Sequence, residues 1–150
     1  MVTVRSIVAN DSESWLQMRT ALWPESPRAE HRDEITRFFA GRPLRPPCVV
    51  LVAETSDQHV VGFVELSIRP YAEGCVTNRV AYLEGWYVLP EYRTRGVGRA
   101  LVAAAENWGR AEGCIEFASD AEPDNDVSSI AHRALGFEDV GLVRCFAKKL

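Results

Sequence analysis

Three arginines and two glycines are interleaved in Arg93-Thr94-Arg95-Gly96-Val97-Gly98-Arg99, shortly after an apolar run that ends in Val88-Leu89-Pro90. A loop of this composition that opens into a helix is an anion site. The first helical turn offers backbone N–H groups without an intrahelical partner, and the helix dipole adds partial positive charge there. Glycines let the backbone approach a phosphate with no β-carbon in the way. Two common phosphate loops are excluded. A P-loop needs a lysine and a hydroxyl residue after its second glycine, and Arg99-Ala100 stands there instead. A dinucleotide fingerprint needs three glycines directly after a strand, whereas Gly96 and Gly98 stand alone and residues 90–95 separate them from the strand.

Carboxylates flank this basic spot: Glu84 before it, and Asp120, Glu122, Asp124 and Asp126 after it. The chain as a whole carries a net charge of −4. A basic spot in an acidic protein suits an anionic cofactor that meets a cationic substrate, and the overall sign argues against nucleic acid, which needs a broad basic face. Of the acids, Glu84 sits in a strand-like run. A carboxylate there can hold an ammonium group and take its proton, directly or through water.

The elements that position these groups follow from periodicity. Residues 3–8 alternate as a strand. Asn10-Asp11-Ser12 supplies cap residues before Trp15, Leu16, Arg19 and Leu22, an apolar stripe at helical spacing that ends at Trp23-Pro24. A second helix is expected over residues 29–40, stopped by Gly41, followed by a proline loop over residues 42–47. Residues 48–54, 59–69 and 79–89 read as three strands of a meander. Alternation puts Tyr82, Glu84, Trp86 and Val88 on one face of the last of these, unless a bulge intervenes. Residues 96–112 form an amphipathic helix with Gly113 at its cap, residues 114–119 a short strand ending before Asp120, and residues 127–135 a last helix with Gly136 at its cap. From Phe137 a strand pair is expected, its second member over residues 142–149. The order β-α-α-β-β-β-α-β-α-β-β defines a mixed α/β (α+β) domain around one twisted sheet.

Length and composition agree. The 150 residues make a single domain, residues 1–150, with ordinary hydrophobic (47%) and charged (25%) fractions. No apolar run approaches the ~20 residues that span a bilayer, and the alternating N-terminus does not resemble a signal segment, so no membrane association and a cytoplasmic location are expected. Cys48, Cys75, Cys114 and Cys145 are scattered, with no C-x-x-C pair and no histidine at ligand spacing. They are expected to be reduced and mostly buried, with no metal site.

Arg93-Thr94-Arg95-Gly96-Val97-Gly98 fits the [Q/R]-x-x-G-x-[G/A] signature of the GNAT acetyltransferase superfamily, which this chain resembles. Val88-Leu89-Pro90-Glu91-Tyr92 is similar to that family's V-x-P-x-[YF] strand end, and Asn125 with Leu135-Gly136-Phe137 to its later motif. Within the superfamily, Leu22-Trp23-Pro24, Leu83-Glu84-Gly85, Ala118-Ser119-Asp120, Ser67-Ile68-Arg69 and Asn107-Trp108-Gly109 look like the chromosomal bacterial aminoglycoside 6'-N-acetyltransferases. The resemblance implies a mainly antiparallel twisted sheet flanked by helices, with a splayed central strand pair. It implies acetyl-CoA as co-substrate, with its arm along the backbone of Trp86, Tyr87 and Val88. Its pyrophosphate would lie at Arg93, Thr94, Arg95, Gly96, Val97, Gly98 and Arg99, with Asn125 a further contact.

The Val88 amide would then polarise the thioester oxygen. The resemblance also implies an aminoglycoside acceptor held by Glu84 and Asp120, with Trp23 and Tyr71 as walls, and a homodimer. One position departs from the family pattern: His132 stands where many members carry a tyrosine that protonates the departing thiolate. Imidazole can do this, and so can solvent. The acids suit any polycation, and only the resemblance points to an antibiotic.

Overall fold

A computed structural model describes residues 1–43 and 47–150, so the expected proline loop lies partly outside the described residues. The chain divides into two units, Met1–Ser119 and Asp120–Leu150.

The first unit holds a five-stranded sheet of β1 (Val2–Ser6), β2 (Val49–Thr55), β3 (Val60–Arg69), β4 (Val80–Val88) and β5 (Phe117–Ser119), in that spatial order. Neighbours are antiparallel except β4 and β5, which run parallel and pair only over Ala81–Leu83 and Phe117–Ser119. Helices α1 (Ser12–Leu22) and α2 (Arg28–Phe39) cover one face, and α3 (Val97–Ala111) the other. On the first face Trp15, Leu16, Met18 and Ile35 pack against Val50, Val52 and Phe63, all buried, which removes a large apolar area from water. Phe38 meets the Trp15 ring edge-on at 5.2 Å between centroids.

On the opposite face α3 lies close to the sheet. A β-carbon at Gly109 would fall 2.9 Å from Cβ of Ala81, so the absent side chain sets the approach of α3 to β4. Val97, Leu101, Val102 and Ala105 complete its buried stripe. The helix ends as its sequence requires: Gly113 takes φ +81°, the Cys114 N–H bonds the Gly109 carbonyl at 2.9 Å and the Gly113 N–H that of Arg110 at 3.0 Å.

In the second unit, α4 (Asp126–Ala134) is capped by Asn125, whose side chain accepts from the Ser128 N–H at 3.0 Å. Gly136 ends it with the same double carbonyl pairing as Gly113. The strand pair expected from Phe137 onward is not formed: residues 137–150 carry no strand, and Val140, Leu142, Val143, Phe146 and Leu150 are exposed. A strand needs a neighbour for its backbone N–H and C=O groups, and alternation alone does not supply one. The four cysteines were expected to be mostly buried, but only Cys114 is; Cys75 is half-buried and Cys48 and Cys145 are exposed. Both lie outside the cores that their apolar neighbours reach.

Candidate active site

Everything in the site turns on one irregularity of β4. Glu65 pairs with Gly85 and Leu66 with Leu83, so Glu84 is an extra residue in a β-bulge. The bulge breaks the simple alternation. Glu84 bonds Ser67 and Arg69 of β3 and lines a cavity with Trp23 and Arg19, on the side of α1 and α2. Trp86 instead lies on the α3 side, where its ring approaches within 3.0 Å of the position of a β-carbon on Gly98, and Val88 meets Gly62 beneath Leu101. The shared face expected for Tyr82, Glu84, Trp86 and Val88 is therefore corrected: Tyr82 and Glu84 face one way, Trp86 and Val88 the other.

The backbone of β4 has its own sidedness. The Leu89 N–H bonds the Val61 carbonyl at 2.9 Å, and Gly62 stands opposite Val88. Antiparallel alternation then directs the peptide groups of Gly85, Tyr87 and Leu89 toward β3 and those of Trp86 and Val88 away from it. Because β5 pairs with β4 only as far as Leu83, the Trp86 and Val88 groups lie on an edge that β5 does not cover. Tyr87, expected alongside them, is turned to β3, and its ring packs near Phe63 at 6.4 Å between centroids. The Val88 carbonyl accepts from Arg93 Nε at 2.9 Å, and the same guanidinium lies 5.3 Å from the Tyr87 ring centre. Arg93 thus braces the end of β4.

A single 3-10 turn (Pro90–Tyr92) leads from β4 to the loop. Thr94 and Gly96 both adopt positive φ, +60° and +82°, and Gly96 is the residue that starts α3. A β-carbon on Gly96 would meet nothing within 4 Å, so this glycine serves the backbone conformation, whereas Gly98 makes room for Trp86. Thr94, Arg95, Gly96 and Arg99 are exposed and Val97 is buried, with its amide at the first helical position. A helix N-terminus beside exposed guanidinium groups fits a diphosphate, and a strand edge that β5 leaves unpaired, leading to it, fits an extended arm that carries amides. The described residues therefore fit a coenzyme A-type ligand.

On the other side, a cavity of about 240 Å³ is lined by Trp23 and by Glu25, Glu30, Glu34, Glu65 and Glu84, with Arg19 and His31 behind them. Arg19 is 5% exposed. It donates to Glu65 and Glu34, and through Nε to His31 Nδ1 at 3.3 Å. A guanidinium only donates, so His31 carries its proton on Nε2 and gives it to the Trp23 carbonyl at 3.1 Å. Trp15 Nε1 donates to Glu65 at 3.0 Å. The Arg19 guanidinium lies 4.9 Å from the Trp23 ring centre, and His31 stacks on the same ring. Burial pushes the Glu65 carboxyl up to about 7, against the opposing pull of Arg19 and its hydrogen bonds.

Glu84 is also partnered. Arg69 donates Nε to one carboxylate oxygen at 2.9 Å and Nη2 to the other at 2.6 Å, and the Ser67 hydroxyl adds a third bond. The structure thus brings Trp23 and Glu84 into one cavity. Tyr71, in contrast, is 62% exposed on the β3–β4 connection and does not line that cavity. Asp120, Asn125 and His132 belong to the second unit. There His132 Nδ1 donates to the Ser128 carbonyl at 2.7 Å and its ring meets Phe137 edge-on at 5.1 Å.

Sequence reasoning missed Arg19, His31, Glu65 and the clamp of Ser67 and Arg69. A signal existed: Arg19 and Glu65 are charged residues at core positions of apolar runs, and such residues are buried only when paired.

The acetyltransferase (GNAT) family matches residues 15–137, and the chain belongs to that family. Among curated relatives, an aminoglycoside N(6')-acetyltransferase type 1 of Klebsiella aerogenes is 53% identical over 98% of this chain and 96% of its own length. Among solved structures, AAC(6')-Iy in complex with the bisubstrate analogue CoA-S-monomethyl-acetylneamine is 34% identical, with a TM-score of 0.88 over 100% of this chain and 99% of that one. The apo aminoglycoside 6'-N-acetyltransferase AAC(6')-IG of Acinetobacter haemolyticus is 36% identical, with a TM-score of 0.87 over 99% of each chain.

Proposed function

We propose that this chain transfers the acetyl group of acetyl-CoA to a primary amine, the 6'-amine, of an aminoglycoside. The two-sidedness of β4 carries the reading. Its bulge turns Glu84 into an acidic cavity walled by Trp23, while the next residues open a strand edge that runs to the arginine loop. A polycation on one side and a coenzyme on the other would meet at one strand. The names of the relatives, and the bisubstrate analogue bound by one of them, support the aminoglycoside and coenzyme A as the pair.

In this reading the amides of residues 94–99, with Arg95 and Arg99, hold the pyrophosphate, and the Trp86 and Val88 backbone pairs with the extended arm. The Val88 N–H donates to the thioester oxygen and stabilises the charge that develops on it. Glu84 receives an N–H of the acceptor. The acceptor ammonium loses one proton toward water, its nitrogen attacks the carbonyl carbon, and a C–N bond forms as the C–S bond breaks. The thiolate takes up a proton and the nitrogen gives up a second. From an ammonium, the sum is an amide, a thiol and one released proton. With Nδ1 of His132 committed to the Ser128 carbonyl, an imidazolium there would give the thiolate its Nε2 proton, and solvent is the alternative acid. In the second unit, Asp120 is the residue proposed for the acceptor and Asn125, which caps α4, the one for the coenzyme.

The family match runs across both units, which supports residues 1–150 as one catalytic domain. No helix among the described residues is long and apolar enough to cross a membrane, and we place the enzyme in the cytoplasm, where acetyl-CoA is made and used. The exposed apolar tail, Leu142, Val143 and Phe146, supports a homodimer in which these residues find a strand partner in a second copy. Light scattering on a sizing column reads this directly, and a monomeric mass at micromolar concentration ends that part of the reading. The central experiment is acetyl-CoA-dependent thiol release with kanamycin and tobramycin beside spermidine, lysine and a peptide amine. The aminoglycosides should be fastest, and release no faster than a substrate-free control sinks the proposal.

A further inference from the structure

Glu84 is an unusual acceptor for a cationic substrate, because a cation already sits on it. Arg69 Nε and Nη2 reach its two oxygens at 2.9 and 2.6 Å, and Ser67 bonds the first of them. A carboxylate offers about four lone-pair positions, so these bonds fill three and leave one acceptor position on Oε2. The guanidinium is itself fixed: it lies 3.5 Å from the ring centre of Tyr82, two residues before Glu84 on β4. Glu84 is largely buried, at 14% side-chain exposure, and Arg69 comes from β3.

We propose that Arg69 is a positioning residue for acetyl transfer, setting both the direction in which Glu84 accepts an amine N–H and the net charge that the amine meets. The inference rests on Glu84 as the acceptor-side carboxylate of the reading above. A bare glutamate would attract an ammonium strongly and hold it protonated, since a nearby opposite charge stabilises the charged form. A protonated amine has no lone pair with which to attack. The Arg69–Glu84 pair has no net charge. It orients one N–H through the remaining Oε2 position without stabilising the positive charge, so the amine gives up its proton at lower pH.

The other ionisable groups that line this cavity are Arg19 from α1, Glu25 from the α1–α2 connection, Glu30, His31 and Glu34 from α2, and Glu65 from β3. Arg19 bonds Glu34, Glu65 and His31, so its charge is spent on those three groups. Arg69 is the cation on Glu84.

The test compares wild type, Arg69→Gln and Arg69→Lys, each with acceptor and acetyl-CoA varied across pH 6–9. The wild-type rate with tobramycin tests the aminoglycoside reading. The contrast among variants, measured with whichever primary amine the wild type acetylates fastest, tests Arg69. For Arg69→Gln the acceptor KM at neutral pH should fall while kcat drops about tenfold, and the rise of kcat with pH should move up by about one unit, the size expected when a charge within ~4–6 Å is removed. The KM for acetyl-CoA should stay the same. Arg69→Lys, which keeps the charge but not the fork, should restore the position of the pH profile and only part of kcat. A loss of kcat at every pH with an unmoved profile, or an acceptor KM that rises in both variants, overturns the proposal.

Discussion

The indole of Trp23 sits directly on Gly85: a β-carbon at Gly85 would fall 2.7 Å from Cη2 and 3.0 Å from Cζ2 of that ring. The glycine that follows the bulged Glu84 is therefore what lets the α1 end close over β4. The ring has little freedom to yield, because Arg19 and His31 both pack against it. Gly85→Ala should push Trp23 out of the cavity wall and raise the acceptor KM on the order of tenfold or more, since displacements near 1 Å are felt at this level. The KM for acetyl-CoA should not change. Equal rises in both constants would show that the substitution disturbs β4 as a whole.

Gly96 offers the complementary case on the coenzyme side. Its surroundings are open, so a side chain meets no obstacle, but φ of +82° is hostile to a β-branched residue. Gly96→Val should lower stability by about 1–3 kcal/mol and re-aim the amides that open α3. Calorimetric titration should show coenzyme A binding weakened several-fold in a protein that remains folded by circular dichroism. Unchanged affinity would remove this loop from the coenzyme site.

Glu65 predicts a pH dependence of stability. Its carboxyl is raised from 4.5 to about 7 in the folded chain by burial. The folded state therefore binds the proton more tightly than the unfolded state does. The contribution is fully present below about pH 4.5 and is lost as pH rises through about 7. Urea midpoints of the wild type should accordingly contain a component that declines between these values and is missing from Glu65→Gln, which keeps the shape but does not titrate. Parallel curves for the two proteins would assign the pH dependence to other groups. Arg19→Met should be far more damaging above pH 7, because it leaves an ionised carboxylate buried without its cation.

How much of this was legible in the sequence follows from where each signal is carried. Helix ends at Gly41, Gly113 and Gly136 were legible because a left-handed cap is a local demand. The anion loop was legible for the same reason: Gly96, Gly98 and the arginines are contiguous. The strand meander emerged from apolar runs within one or two residues of its observed bounds. The bulge at Glu84 was not legible, since it is a matter of register between β3 and β4, and with it went the true faces of Trp86 and Val88. The network of Arg19, His31 and Glu65 spans 46 residues of sequence between its ends, and no periodicity reports a pairing at that distance. The tail failed in the opposite sense: its alternation is strand-like, but a strand is a relation between two segments.

Arg93 separates two kinds of arginine in one short loop. All three were expected at the pyrophosphate, yet Arg93 donates to the Val88 carbonyl at 2.9 Å and stacks 5.3 Å from Tyr87, while Arg95 lies 5.9 Å from the Tyr92 ring and Arg99 is exposed on α3. A residue that ties the strand end beside the proposed oxyanion donor should act on the chemical step, because loss of its bond frees the Val88–Leu89 peptide, next to the one that carries the Val88 N–H. Arg93→Ala should therefore lower kcat on the order of tenfold, less than the ~10²–10³ that follows complete loss of such a donor, with a modest change in the KM for acetyl-CoA. Arg95→Ala and Arg99→Ala should do the reverse, raising that KM and making it less sensitive to salt, as expected for lost phosphate contacts at the surface. Steady-state kinetics at two ionic strengths distinguishes them. If Arg93→Ala behaves as the other two do, its bond to Val88 is incidental and all three arginines serve the phosphates.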